Sequence, residues 1–396
     1  MKTKTFMEVE LKNVSDLEYT DVKSWIENSF CCEISGVEEL RAYQGKNFCI
    51  EINANGNKCK VEAAKIPRKI IVKVVKNSEN GALKWNCIKH VMNYLGQQGF
   101  NCTKFLPIDE NMCKIQKNGD EFLVLLLEYI PGIPLMDCWT TVDINQVIKD
   151  TGEMVANLHN SLETLDVSVL RNAIGTDDPW ILDNAAVMLG YLDVIKEPEI
   201  RRIITAVIDK FCRQHEETKS HLTKGIIHGD LSDLNLIVVC QDNHLRPLVN
   251  KTGTINDLFG IIDFFDLCVS CYIFEVAQVI RDFMVSINPP DCYSIGISFL
   301  SGYCKNRNLN RYELDMLFDA IMAGLCQYHV IGEYEFHRQP NNEYCRMGSK
   351  EASALITKYH SSSSIFVSQM SKLLEELNSN RINKNMHNQD KLQAIN

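Results

Sequence analysis

Residues 226–239 read IIHGDLSDLNLIVV, a polar loop framed on both sides by apolar residues. Such a segment has few places to go. The Ile, Leu and Val runs read as strands buried on both faces, whereas the carboxylates and amide of the loop need water, a cation or a ligand. The chain must therefore bury two strand ends while holding Asp230 and Asn235, five positions apart, at the edge of its core. Buried flanks of this kind make the loop rigid. A second apolar run follows about two dozen residues later, where Phe259 to Leu267 read FGIIDFFDL and Asp263 stands at the end of the strand.

The pattern along the chain changes character once. The first third alternates in short runs, Phe48 to Ile52, Cys59 to Ala63, Ile70 to Val75 and Phe122 to Ile130, which read as strands of one antiparallel sheet. Between them Leu83 to Gln98 places Ile88, Val91, Met92 and Leu95 at helical spacing and stops at Gly99, a residue suited to a left-handed cap. From Pro131 onward long amphipathic segments take over: Val142 to Leu165, Pro198 to Thr218, Phe274 to Ser286, Arg311 to His337 and Lys350 to Leu377. The switch at Pro131-Gly132-Ile133-Pro134 reads as the end of a connector between lobes. Three parts result: a lobe over 1–130, a mainly helical lobe over 131–377, and a polar, Asn-rich tail over 378–396.

The sparse polar pattern is that of phosphoryl transfer. One carboxylate, Asp230, can accept or orient a hydroxyl proton, while the Asn235 amide oxygen and the Asp263 carboxylate suit Mg²⁺, which favours hard oxygen ligands. HGDLSDLN followed by IIDFFD resembles the aminoglycoside phosphotransferase and choline kinase group, and more closely the hydroxylysine kinases. The resemblance extends through AYQGKNF at 42–48, IIVKV at 70–74, EYIPGIPL at 128–135 and YIFEVA at 272–277. It implies an α+β, two-lobed protein-kinase-like fold, a small sheet lobe with one helix and a larger helical lobe, with the nucleotide in the cleft between them. It also implies transfer of the γ-phosphate of GTP, or of ATP, to 5-hydroxy-L-lysine in lysine breakdown. Choline, ethanolamine or an aminoglycoside are alternative acceptors, and a pseudokinase that binds nucleotide or a partner is the alternative outside catalysis.

By the same resemblance Lys73 reaches the nucleotide phosphates, Gln44, Gly45, Lys46 and Asn47 form the loop over them, and Glu128 and Tyr129 present backbone groups to the base. Asp233, Asp266 and Trp180 are candidates for the substrate side; Asp266 could equally bind a second metal or cap the segment after it, and Trp180 could plug the helical lobe. His228 and Glu275 read as structural supports of the loop. Two positions depart from the pattern. Asn86 stands where a glutamate partner for Lys73 is expected, with Glu79 as a possible substitute, and Gly324 stands where an arginine is expected.

Composition excludes several other classes. A net charge of -10 leaves no broad basic face for nucleic acid, and 45% hydrophobic with 23% charged residues is the balance of an ordinary globular core. No uninterrupted apolar stretch of membrane length occurs and the first fifteen residues do not read as a signal peptide, so a cytoplasmic location is expected. The sixteen cysteines are then reduced thiols, and the C-x-x-C at Cys268 and Cys271 has no second pair to complete a zinc site.

Overall fold

The computed structural model describes residues 17–30, 32–40, 42, 45–53, 67–76, 81–106, 114–166, 178–241, 244–245, 254–362, 364–366, 368–370, 372–373 and 375. The expected strand at Cys59 to Ala63, Gln44, Glu79 and the tail over 378–396 lie outside these residues. Two compact units are present, Met1–Gly96 with Cys102–Pro131, and Gln97–Asn101 with Gly132–Asn396.

The N-terminal unit opens with α1 (Tyr19–Phe30), followed by β1 (Glu33–Leu40), β2 (Lys46–Asn53), β3 (Lys69–Lys76), α2 (Gly81–Gln97), the two-residue β4 (Asn101–Cys102), β5 (Lys114–Lys117) and β6 (Asp120–Glu128). Five strands form an antiparallel sheet in the order β1-β2-β3-β6-β5. Strand alternation sorts the two faces. Phe48, Ile50 and Ile52 of β2, Ile70, Val72 and Val74 of β3, and Phe122, Val124 and Leu126 of β6 build one core with Val22 and Ile26 of α1. The odd-numbered residues of β3, Lys73 among them, point to the opposite face. Helix α1 is a second helix in a unit expected to hold one. Its short amphipathic run, capped by a bond from Glu18 N to Asp21 Oδ2 (2.8 Å), carries a weak signal next to the longer α2.

The second unit contains β7 (Gly132–Pro134), α3 (Ile144–Leu162), a 3₁₀ run at Leu182–Val194, α4 (Pro198–Thr218), β8 (Lys224–Ile227), β9 (Leu236–Gln241), β10 (His244–Leu245), β11 (Phe259–Ile261), β12 (Cys268–Cys271), α5 (Tyr272–Ile287), α6 (Tyr293–Tyr303), α7 (Arg311–Arg338) and α8 (Ser349–Tyr359). The Pro-Gly-Ile-Pro segment is not merely a break: Gly132–Pro134 pairs antiparallel with β9, an edge position that proline tolerates. Helix α7 is long and apolar enough to cross a membrane, yet 89% of its most apolar stretch is buried within the unit. A capping box, Asn310 with Glu313, starts it, and its flanks carry α4, α5 and α8.

Two ladders position the polar loop. β8 pairs with β12, Ile227 opposite Cys268, and β9 pairs with β11, Leu236 opposite Ile261. The loop from His228 to Asn235 and the segment from Ile262 to Leu267 therefore begin and end opposite one another. Two stretches far apart in sequence become facing arcs.

Candidate active site

The arcs are stitched together by backbone. Asn235 N donates to Ser232 O and Ile262 N donates to Asn235 O, both at 3.0 Å. His228, wholly buried, bonds through Nε2 to Ile262 O at 3.0 Å and accepts from Asp230 N at Nδ1 (3.3 Å). The imidazole is thus neutral, with the proton on Nε2, and burial lowers its pKa. Gly229 adopts φ +85, and a Cβ there would stand 2.0 Å from Asp266 O, so glycine is what lets the arcs touch.

Support comes from beneath. Gly229 N donates to Glu275 Oε1 (2.8 Å), Glu275 Oε2 bonds His159 Nε2 (2.8 Å), and His159 Nδ1 bonds the Tyr303 hydroxyl (2.9 Å). Glu275, His159 and Tyr303 are each 0% exposed, so this chain from the loop through α5 and α3 to α6 is shielded from water. Buried polar chains of this kind hold one geometry when fully satisfied.

Asp230 and Asn235 meet directly. Asn235 Nδ2 donates to Asp230 O at 2.7 Å and to Asp230 Oδ2 at 2.8 Å. Both bonds use the nitrogen edge of the amide, which turns Oδ1 away from Asp230 as an acceptor. Asp263 follows β11 at φ 60, ψ 60, a left-handed conformation that costs a non-glycine residue about 1 kcal/mol or more. Burial raises the Asp230 pKa well above the carboxylate range; the charges of Asp266, Asp282 and Asp263 add to this, and Arg281 opposes it. An arrangement that penalises negative charge so heavily is suited to a cation. Asn235 Oδ1 and the Asp263 carboxylate are hard oxygen donors, tied to one another through the Ile262 N to Asn235 O bond, and this donor set fits Mg²⁺.

The substrate-side candidates separate. Asp233 is 2% exposed, accepts from Trp139 Nε1 at 2.7 Å, and is pushed up to about 7 by burial. Asp266 closes the 3₁₀ turn Phe264–Asp266 opposite Gly229. Trp180 is half-buried and meets the Tyr328 ring edge-on, centroids 6.4 Å apart. Sequence reasoning missed Arg281, Asp282 and Tyr328, whose charges and dipoles act on the same group of carboxylates.

In the N-terminal unit Asn47 stands opposite Lys73 across β2 and β3, and its buried Oδ1 has no partner among the described residues. Gly45 has φ +79, and a Cβ would lie 2.7 Å from Val74 O. Lys46 Nζ is bonded to Leu17 O (2.6 Å). The backbone of Glu128 is engaged within the unit, its N donating to Lys104 O (2.8 Å) and its O accepting from Thr103 Oγ1 (2.9 Å), while the Tyr129 ring lies 4.6 Å from Lys69 Nζ. Asn86 lies on the exposed face of α2, whose buried face carries Cys87, Ile88, Val91 and Met92.

Of the C-x-x-C pair, only Cys271 joins a possible ligand group, with Asp183 and His215, all ligand atoms within 4.8 Å of one another. Lys224 Nζ is 2.8 Å from Asp183 Oδ1, so an ammonium already neutralises that carboxylate.

No family model matches the chain. Among curated proteins it is similar to hydroxylysine kinase of Bos taurus, 25% identical over 341 residues that cover 80% of this chain and 82% of the relative. Hydroxylysine kinase of Mus musculus is 26% identical over 339 residues, 82% and 84% of the two chains. Among solved structures it is similar to a microcompartment-associated aminopropanol kinase (TM-score 0.60, 14% identity, 87% of this chain and 98% of that one). It is also similar to a GDP complex of an aminoglycoside 2'-phosphotransferase (TM-score 0.56, 15% identity, 87% and 100%). Facing arcs that present Asp230, Asn235 and Asp263 on the aminoglycoside phosphotransferase fold, in a chain similar to hydroxylysine kinases, make it a small-molecule phosphotransferase with a hydroxyl acceptor.

Proposed function

We propose that the chain transfers the γ-phosphoryl group of GTP to the hydroxyl of 5-hydroxy-L-lysine, releasing GDP and 5-phosphooxy-L-lysine. The observation that carries the reading is the Asp230–Asn235 contact opposite Asp263, in a chain similar over four-fifths of its length to proteins named hydroxylysine kinase. Asp230 accepts the hydroxyl proton or holds the hydroxyl in line. Asn235 and Asp263 would hold Mg²⁺, which would supply neutralisation of the phosphate charge. Lys73, with Asn47 on the adjoining strand and Gly45 just before it, offers phosphate a point charge beside backbone groups. Proteins of this fold include both GDP and AMP-PNP complexes, so GTP as donor rests on the similarity to hydroxylysine kinases alone.

The excess of carboxylates around Asp230 favours a substrate that brings ammonium groups. Nucleoside diphosphate release measured with hydroxylysine, choline, ethanolamine and an aminoglycoside, each with GTP and with ATP and Mg²⁺, tests the reading. Release with hydroxylysine and GTP at the highest kcat/KM is the expected result. Preference for choline or ethanolamine sinks the substrate assignment, preference for ATP sinks the donor assignment, and no release with any acceptor sinks the reaction.

A further inference from the structure

One buried cation in the second unit lacks part of its complement. Arg281 on α5 is 3% exposed and Asp282 beside it 4% exposed. The pair is bidentate, Nε to Oδ1 at 2.9 Å and Nη2 to Oδ2 at 3.0 Å. Nη1 is buried and has no hydrogen-bond partner among the described residues. A guanidinium is weakly tolerated away from water unless its donors are used, so two unmet N–H groups on a charged side chain are an expensive thing to keep.

The surroundings are shaped to hold that guanidinium. Its carbon lies 5.2 Å from the centre of the Tyr328 ring on α7, and Trp180 meets the far edge of that ring. Gly324 stands one helical turn before Tyr328 on the same face of α7. A Cβ at Gly324 would fall 3.1 Å from Arg281 Cδ and 3.5 Å from Nη1, so the missing side chain is what lets the guanidinium lie against α7. The same arginine acts electrostatically on Asp230, as does Asp282. Helix α5, which carries Arg281, also meets the loop directly: Glu275 accepts from Gly229 N, and Phe283 packs on Trp139, centroids 5.0 Å apart, whose Nε1 bonds Asp233.

Building on the hydroxylysine kinase function proposed for this site, we propose that Arg281 is a specificity residue: its Nη1 edge takes the carboxylate of the acceptor, and the site selects an amino-acid alcohol over a simple amino alcohol. Carboxyl groups accompany this arginine in the same unit: Asp282 beside it, and Asp230 and Asp233 on the loop. A zwitterion carries its own ammonium groups to those acids and its carboxylate to the unmet donors. A nucleotide phosphate is the other anion that could use the same N–H groups, and the test separates the two.

Wild type is compared with Arg281→Lys and with the double variant Arg281→Met, Asp282→Asn, which removes both charges and leaves no buried ion uncompensated. The readout is the ratio of kcat/KM for 5-hydroxy-L-lysine to kcat/KM for its decarboxylated diamine alcohol, together with the KM for GTP. A charge-assisted hydrogen bond corresponds to about 10- to 100-fold in this ratio. The expected result is a ratio of that size in wild type that falls towards one in both variants through a higher hydroxylysine KM. An unchanged ratio overturns the inference, as does a raised GTP KM with the ratio intact. Calorimetric binding of lysine against cadaverine reads the same contrast without turnover and covers a variant with poor activity. Equal binding of the two by wild type overturns the inference while leaving hydroxylysine phosphorylation standing, whereas binding of neither, with no turnover, overturns both.

Discussion

The catalytic arcs and the Arg281 wall lie in the same unit and are organised in opposite ways. In the arcs, each linking bond engages a peptide group: Ile262 N meets Asn235 O, Ile262 O takes the His228 imidazole, and Gly229 N meets Glu275 Oε1 from below. At the wall, side chains carry it, and a buried donor edge is left over. A substitution in the arcs leaves the peptide groups in place, whereas one at the wall removes the groups that set its geometry.

The contrast is broken most directly at its centre. Asp230→Asn keeps an oxygen for Asn235 Nδ2, so the melting temperature should stay near that of wild type while kcat falls by about 10²- to 10⁴-fold. Steady-state kinetics beside a thermal melt checks this, and an undiminished kcat removes Asp230 from the proton transfer. Glu275→Ala is next. It strands Gly229 N–H and the His159 ring nitrogen away from water, and a loss of about 2–4 kcal/mol in denaturant unfolding is expected.

A third substitution concerns pH. The folded pKa of Asp233, about 7, lies above the unfolded value of about 3.9. The folded chain then binds the proton more tightly, so this group's contribution is fully present below pH 4 and is lost as pH rises towards 7. Asp233→Asn should keep the Trp139 contact and flatten that slope, by at most about 1.4 kcal/mol for each step of one in pH. Melting curves from pH 5 to 8 read it. If the variant instead abolishes acceptor binding with its slope intact, Asp233 faces substrate. The smallest effect is expected at Asn86, exposed on α2: Asn86→Glu should change stability by less than about 0.5 kcal/mol. It should also leave kcat within about twofold, and a large gain would show that the missing glutamate had limited turnover.

The same division explains what could be read in the sequence. The arcs were legible because apolar flanks and a fixed polar spacing are local signals, and α4 matches its expected bounds, Pro198 to Thr218, because its period is regular. Helix α8 ends at Tyr359, and the helix expected through Leu377 is interrupted at 360–362, where a histidine and serines offer the backbone other partners, before helical residues resume at 364–366, 368–370, 372–373 and 375. The 3₁₀ run at Leu182–Val194 has no period to detect. Arg281 and Asp282 were missed for a different reason. In VIRDFMVS two adjacent charges read as the wet edge of a helix, and only the packing of α5 against α7 shows that they are inside. The sequence pointed to Gly324 as a lost arginine; the structure brings a guanidinium to that spot from another helix.

The left-handed backbone of Asp263 bears on how such a chain ages. Replacing it by glycine would release strain and make the protein more stable, so a lineage freed from turnover gains by discarding this residue early. The position can serve as a clock hand: across diverging copies of this chain, glycine at 263 should mark those that have left catalysis behind, before any change appears in the buried supports of the loop.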